Sequence, residues 1–107
     1  MKTIVVVTTI DSHRQARAIS SALVKSKLAA CAQISTIESY YTWQGAVHDA
    51  REYRVTVKTT DERYADVEAA IRKLHSYELP AIHALDMAYV FQPYAEWVIE
   101  NSSGEQG

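Results

Sequence analysis

The side chains of this 107-residue chain that suit chemistry are few and scattered. Cys31 is the single cysteine, and the histidines are His13, His48, His75 and His83. A thiolate is a soft ligand suited to Cu(I). The competing reading of Cys31 is a small buried residue between Ala30 and Ala32. No histidine pairs with another, or with Cys31, at a metal-binding spacing such as i, i+4 on a helix. His83 and Met87 share one parity of an expected strand and are borderline and soft donors, although a packed sheet face is the better account of them. Lys58 closes a strand on its polar side. Glu78 sits in a connector with His75 and Tyr77, and these four residues suit a cleft for a small anion or cation. A structural ion pair or plain solvation is the alternative for the two charges.

Classical catalysis finds no support. The chain has no nucleophile elbow, no Gly-rich phosphate loop and no paired-carboxylate motif. Of its 3 glycines only Gly45 precedes the C-terminal tail, so no backbone phosphate cradle is expected. The chain reads as a non-enzyme. Its net charge of -2, with both signs interspersed, argues against a nucleic-acid binder. No apolar stretch approaches a membrane span, and the run Ile4-Val5-Val6-Val7 is too short for a signal-peptide core. One cysteine permits no intrachain disulfide, which fits a reducing compartment and a cytoplasmic location. The composition, 48% hydrophobic and 22% charged, is that of one soluble globular domain, assigned to residues 1–100, with a polar tail over 101–107 that has no reason to be ordered.

The elements that must position these residues follow from periodicity. A continuous β-branched run predicts a strand over Thr3 to Thr9. Asp11 or Ser12 then caps a helix whose stripe is Ala16, Ile19 and Leu23. Residues 28–47 read as a long extended stretch with apolar groups on both faces, turning at Gln44-Gly45. From Arg51 to Thr59 the pattern alternates cleanly, with Tyr53, Val55 and Val57 on one side and Glu52, Arg54, Thr56 and Lys58 on the other. Thr60 or Asp61 caps a second helix that buries Tyr64, Val67, Ile71 and Leu74. Pro80 forbids helix in the connector, a last strand spans Ala81 to Tyr89, and Pro93 opens a short helix packing Tyr94, Trp97 and Val98. The order β-α-β-β-α-β-α predicts an α+β fold, a ferredoxin-like split β-α-β sandwich with an extended hairpin and a short C-terminal helix. The hairpin tip is aromatic (Tyr40, Tyr41, Trp43) where a solvent-exposed tip would be polar, which predicts subunit contacts there. An aromatic ladder within one subunit is the alternative.

Five segments in register carry a family resemblance. Leu28-Ala29-Ala30-Cys31-Ala32-Gln33-Ile34, Ser39-Tyr40-Tyr41-Thr42-Trp43-Gln44-Gly45, Val57-Lys58-Thr59, His75-Ser76-Tyr77-Glu78-Leu79-Pro80-Ala81-Ile82 and the pair Tyr94 and Trp97 resemble the signatures of the CutA divalent-cation tolerance family. The chain departs from that pattern at Ser76, where Pro is usual, at Asp86 in the last strand, and in lacking a Gly before the terminal helix. The resemblance implies a tight homotrimer joined through its hairpins and a part in tolerance of divalent metals, copper in particular. It also implies a distant likeness to trimeric nitrogen-regulatory signalling proteins. In such a trimer, subunit clefts combine residues distant in sequence. Cys31, His75 and Glu78 are then the expected metal ligands, and Lys58, Tyr77 and Glu78 the expected small-ligand residues.

Overall fold

The computed structural model of the chain describes residues 1–104. Its elements are β1 (Thr3–Ile10), α1 (His13–Lys25), β2 (Cys31–Trp43), β3 (Ala46–Thr60), α2 (Tyr64–Leu74), β4 (Ile82–Asp86) and α3 (Gln92–Glu100), with a 3-10 turn at Asp61–Arg63. The strands form one 4-stranded sheet in the order β2-β3-β1-β4, with every pairing antiparallel. This is the ferredoxin-like arrangement. None of the helices among the described residues is long and apolar enough to cross a membrane.

The register decides which residues share a face. Ile4, Val6 and Thr8 pair with Thr59, Val57 and Val55, so these side chains point the same way. They meet Ala16, Ile19 and Leu23 of α1 and Val67 and Ile71 of α2, and the apolar members of this set form the core. Each helix thus buries the stripe its 3.6-residue period dictates. Ser12 caps α1, its hydroxyl accepting from the Gln15 N–H at 3.2 Å. Neither Thr60 nor Asp61 caps α2 through its side chain; Arg63 holds the N-cap position. Asp61 instead accepts from the Lys2 N–H at 3.0 Å, a bond that holds its carboxyl below the usual 3.8.

Several boundaries differ from the sequence-based expectation. The last strand stops at Asp86 and does not run on to Tyr89. Its partner β1 begins at Thr3, so the ladder closes with Met87 N–H to Thr3 O at 3.1 Å and nothing remains to pair beyond. Leu74 is 41% exposed and leaves the buried stripe of α2, because it sits in the last turn of that helix. In α3 the buried residues are Ala95 and Val98. Trp97 is 42% exposed and stacks on Tyr94 at 5.8 Å. The tail is tied down at its start: the buried Ser102 hydroxyl donates to Val98 O, and Gly104 N–H donates to Lys27 O at 2.8 Å. The remainder of the expected free tail, residues 105–107, lies outside the described residues.

The hairpin overhangs the sheet. β1 accompanies β3 only as far as Ile10 opposite Tyr53, so residues 37–43 and 46–52 pair with each other alone. That overhang is about 20 Å at strand rise. Gln44 and Gly45 turn it with φ of 51° and 79°, the left-handed pair a two-residue hairpin needs to match strand twist. A Cβ at Gly45 meets nothing within 4 Å, so only backbone strain opposes substitution there. Gly45→Ala is expected to cost about 1–2 kcal/mol and Gly45→Asn less, as read from urea unfolding midpoints.

Candidate functional site

The helices α1 and α2 cover one face of the sheet. The other face carries the chemistry-bearing residues. By register it presents Cys31 beside Lys58, Ile37 beside Glu52, and then Tyr41 and Trp43 along the hairpin. These residues divide between two ends of that face.

At the first end Cys31 is half-buried, and its Sγ lies 3.8 Å from Tyr94 Oη of α3. Burial and the neighbouring thiol raise the Tyr94 hydroxyl above its usual 10.0. Lys58 is the residue directly across from Cys31, and its ammonium donates to Gln33 Oε1. The lysine therefore lies along the sheet beside the thiol.

The second end is built by the connector after α2. Tyr77 N–H donates to His75 Nδ1 at 3.1 Å, which fixes that nitrogen as an acceptor. His75 Nε2 then carries the proton and donates to Thr9 O at 2.8 Å. Tyr77 Oη donates in turn to Glu52 Oε2 at 2.6 Å. Burial, followed by the Glu52 bond and charge, pushes the Tyr77 hydroxyl well above its ordinary 10.0. Glu52 is only 7% exposed. Among the described residues Tyr77 is the sole hydrogen-bond donor to its carboxylate, and no ion pair reaches it. Around this bond lies a cavity of about 490 Å³. Tyr40, Tyr41 and Trp43 of β2, Glu52 of β3, and Tyr77 and Glu78 of the connector form most of its wall.

The structure regroups the residues expected from sequence. Tyr77 and Glu78 share one cavity with the hairpin aromatics Tyr40, Tyr41 and Trp43. Lys58 does not join them, because it lies six residues along β3 from Glu52, roughly 20 Å away at strand rise. Cys31, His75 and Glu78 do not converge within one chain either. Cys31 stands at the Lys58 end, whereas both ring nitrogens of His75 are engaged at the other. Among the described residues no group of three or more His, Cys, Asp or Glu side chains is placed to hold a metal ion. His13 meets Tyr53 in a tilted ring contact at 5.1 Å and His48 stacks on Tyr41 at 5.6 Å, while His83 is exposed on β4. Glu52 is the functional candidate that sequence reasoning passed over. It falls on the polar parity of its strand, and its partner Tyr77 is 25 residues away, so no local pattern marks it.

Removing the Tyr77 hydroxyl strands the Glu52 carboxylate. Tyr77→Phe is expected to cost about 1–3 kcal/mol at neutral pH. The sign of its pH dependence follows from the raised hydroxyl. The stability it confers is fully present below the ordinary value of 10.0 and is lost as the pH climbs beyond it. Unfolding midpoints against pH for wild type and Tyr77→Phe should therefore converge on the alkaline side.

Comparison with known proteins bears on the whole chain. A family model for the CutA1 divalent ion tolerance protein matches residues 4–101. The divalent-cation tolerance protein CutA of Thermus thermophilus is 38% identical over 92% of this chain and 96% of its own length. A solved structure of the Thermus thermophilus protein superimposes with a TM-score of 0.90, covering 94% of this chain and 98% of that one. The solved structure of CutA from Archaeoglobus fulgidus, described as a periplasmic divalent cation tolerance protein, gives a TM-score of 0.91 at 31% identity with the same coverage of both chains, 94% and 98%. A match running from the first strand to the end of the last helix, together with a shared four-stranded fold, shows that this chain belongs to the CutA1 divalent ion tolerance protein family.

Proposed function

We propose that the chain acts as a homotrimer in tolerance of divalent cations, copper among them, through metal held between subunits. Family membership supports the tolerance role. The observation that carries the assembly is the overhanging hairpin. Tyr40 is 74% exposed, Tyr41 45%, Trp43 37% and Val47 76%, on strands that pair only with each other. An apolar, ladder-ready overhang of this kind is an association surface, since left bare it promotes aggregation. A three-fold assembly also supplies what one chain lacks. It multiplies each ligand and brings Cys31 of one subunit toward the connector of another, where Glu78 is exposed. His75 joins such a site only by releasing the Tyr77 N–H from Nδ1. The lone cysteine fits the reducing cytoplasm, and we place the protein there as a non-enzyme.

A second reading has its own support in the cavity beside Tyr77 and Glu78. A trimer of this shape can sense a small ligand there and present the result to a partner, as the likeness to nitrogen-regulatory signalling proteins suggests. Lys58 enters that reading as a residue reaching in from a neighbouring subunit.

Native mass spectrometry should give three times the 12.0 kDa chain mass. Trp43→Ala should lower the trimer fraction and the melting temperature; an unchanged mass and melting curve would show that the hairpin does not hold the assembly. Copper titrated calorimetrically into wild type and Cys31→Ser should bind the variant at least about tenfold more weakly. Affinity no tighter than millimolar in both proteins would sink direct metal binding.

A further inference from the structure

The cavity under the hairpin is acidic and aromatic at once. Among the described residues no lysine, arginine or histidine lines it, while two carboxylates do, Glu52 and Glu78. Glu52 is the decisive one. It is more than nine-tenths buried and opens onto the cavity, and among the described residues it has a single hydrogen bond and no counter-ion. A buried carboxyl group with one hydrogen bond leaves acceptor capacity open to a donor that enters the cavity. The walls indicate which kind. Among the described residues no group of three or more His, Cys, Asp or Glu side chains is placed to hold a metal ion, and aromatic side chains make up much of the lining. The rings of Tyr41, Trp43 and Tyr77 offer π faces that favour a weakly hydrated organic cation. The volume of about 490 Å³ suits a small molecule.

We infer that this cavity recognises an organic cation, an alkylammonium or guanidinium head, with Glu52 as its buried counter-charge and the aromatic residues as its cage. The exposed Glu78 draws the charge toward the mouth, and Leu79, on the rim, contacts the alkyl stem. The inference deepens the ligand-cleft reading and does not depend on metal at Cys31. The same chemistry has two sources: a free small cation, or a lysine or arginine side chain of a second copy of the chain.

The test titrates the full chain with butylammonium and butylguanidinium chloride, and with butanol and butyramide as neutral counterparts. Calorimetry and melting temperature are read at constant ionic strength on wild type, Glu52→Gln and Glu78→Gln. A free-ligand site predicts saturable binding of the cations alone, weakened at least about tenfold in Glu52→Gln and by less in Glu78→Gln, with native mass unchanged. A site filled by a second copy predicts no response to added cation, a lowered native mass for Glu52→Gln, and a carbodiimide cross-link from Glu52 or Glu78 to a lysine of another subunit. Neutral analogues binding as tightly as the cations, or affinity and mass both indifferent to Glu52→Gln, would overturn the inference. Should Glu52→Gln fail to fold by circular dichroism, the cation-against-neutral comparison on wild type and the loss in Glu78→Gln decide the matter. Wild-type native mass reports on the trimer and copper titration on Cys31, so each reading can fail separately.

Discussion

The antiparallel pairing of β3 with β1 on one side and β2 on the other is the contact on which the remaining structure depends. Val57 stands between Val6 and Ala32, and Val55 between Thr8 and Ile34. Those rows give α1 and α2 their apolar floor. A strand alternates its two faces, so a slip of one residue would turn Thr56 and Lys58 into the core and push Val55 and Val57 out. The free energy of burying these side chains, about 1.5–3 kcal/mol for each larger one, therefore specifies the register. The register in turn places Glu52 on the face away from the core, beneath the hairpin aromatics.

The connector after α2 depends on that face. It has no regular structure of its own between Leu74 and Ile82. It is held by a relay in which Tyr77 N–H meets His75, His75 meets the Thr9 carbonyl, and the Tyr77 hydroxyl meets Glu52. Each bond uses a donor where a donor is required, which fixes the histidine tautomer. His75 thus ties the connector to β1 through the Thr9 carbonyl. Hydrogen bonds to charged groups contribute about 1.5–3 kcal/mol, and the short Tyr77–Glu52 bond ties the connector to the sheet.

The open face thus has two ends of different character. One holds a thiol against a phenol, with a lysine alongside. The other holds a buried carboxylate among aromatic rings. One chain alone does not join them, since strand β3 keeps Lys58 and Glu52 apart. Assembly through the overhanging hairpin is the arrangement that would let one end of a subunit meet the other end of its neighbour.

The sequence by itself determined the element order, the core stripes of α1 and most of α2, a cap for α1 at Asp11 or Ser12, the hairpin turn at Gln44-Gly45 and the family. Each of these rests on local periodicity, capping chemistry or motif spacing, which are properties of neighbouring residues. Its errors fell where an element ends against something distant. The last strand stops because β1 does. Leu74 and Trp97 reach solvent although their spacing suits a buried stripe, and Ser102 is buried although its segment is polar. Only the tertiary structure decided the site. Tyr77 reaches a carboxylate 25 residues earlier in the chain, His75 gives both nitrogens to backbone groups, and Lys58 is carried out of reach along its strand. Those outcomes follow from the register of a sheet, and no local pattern of residues carries that information.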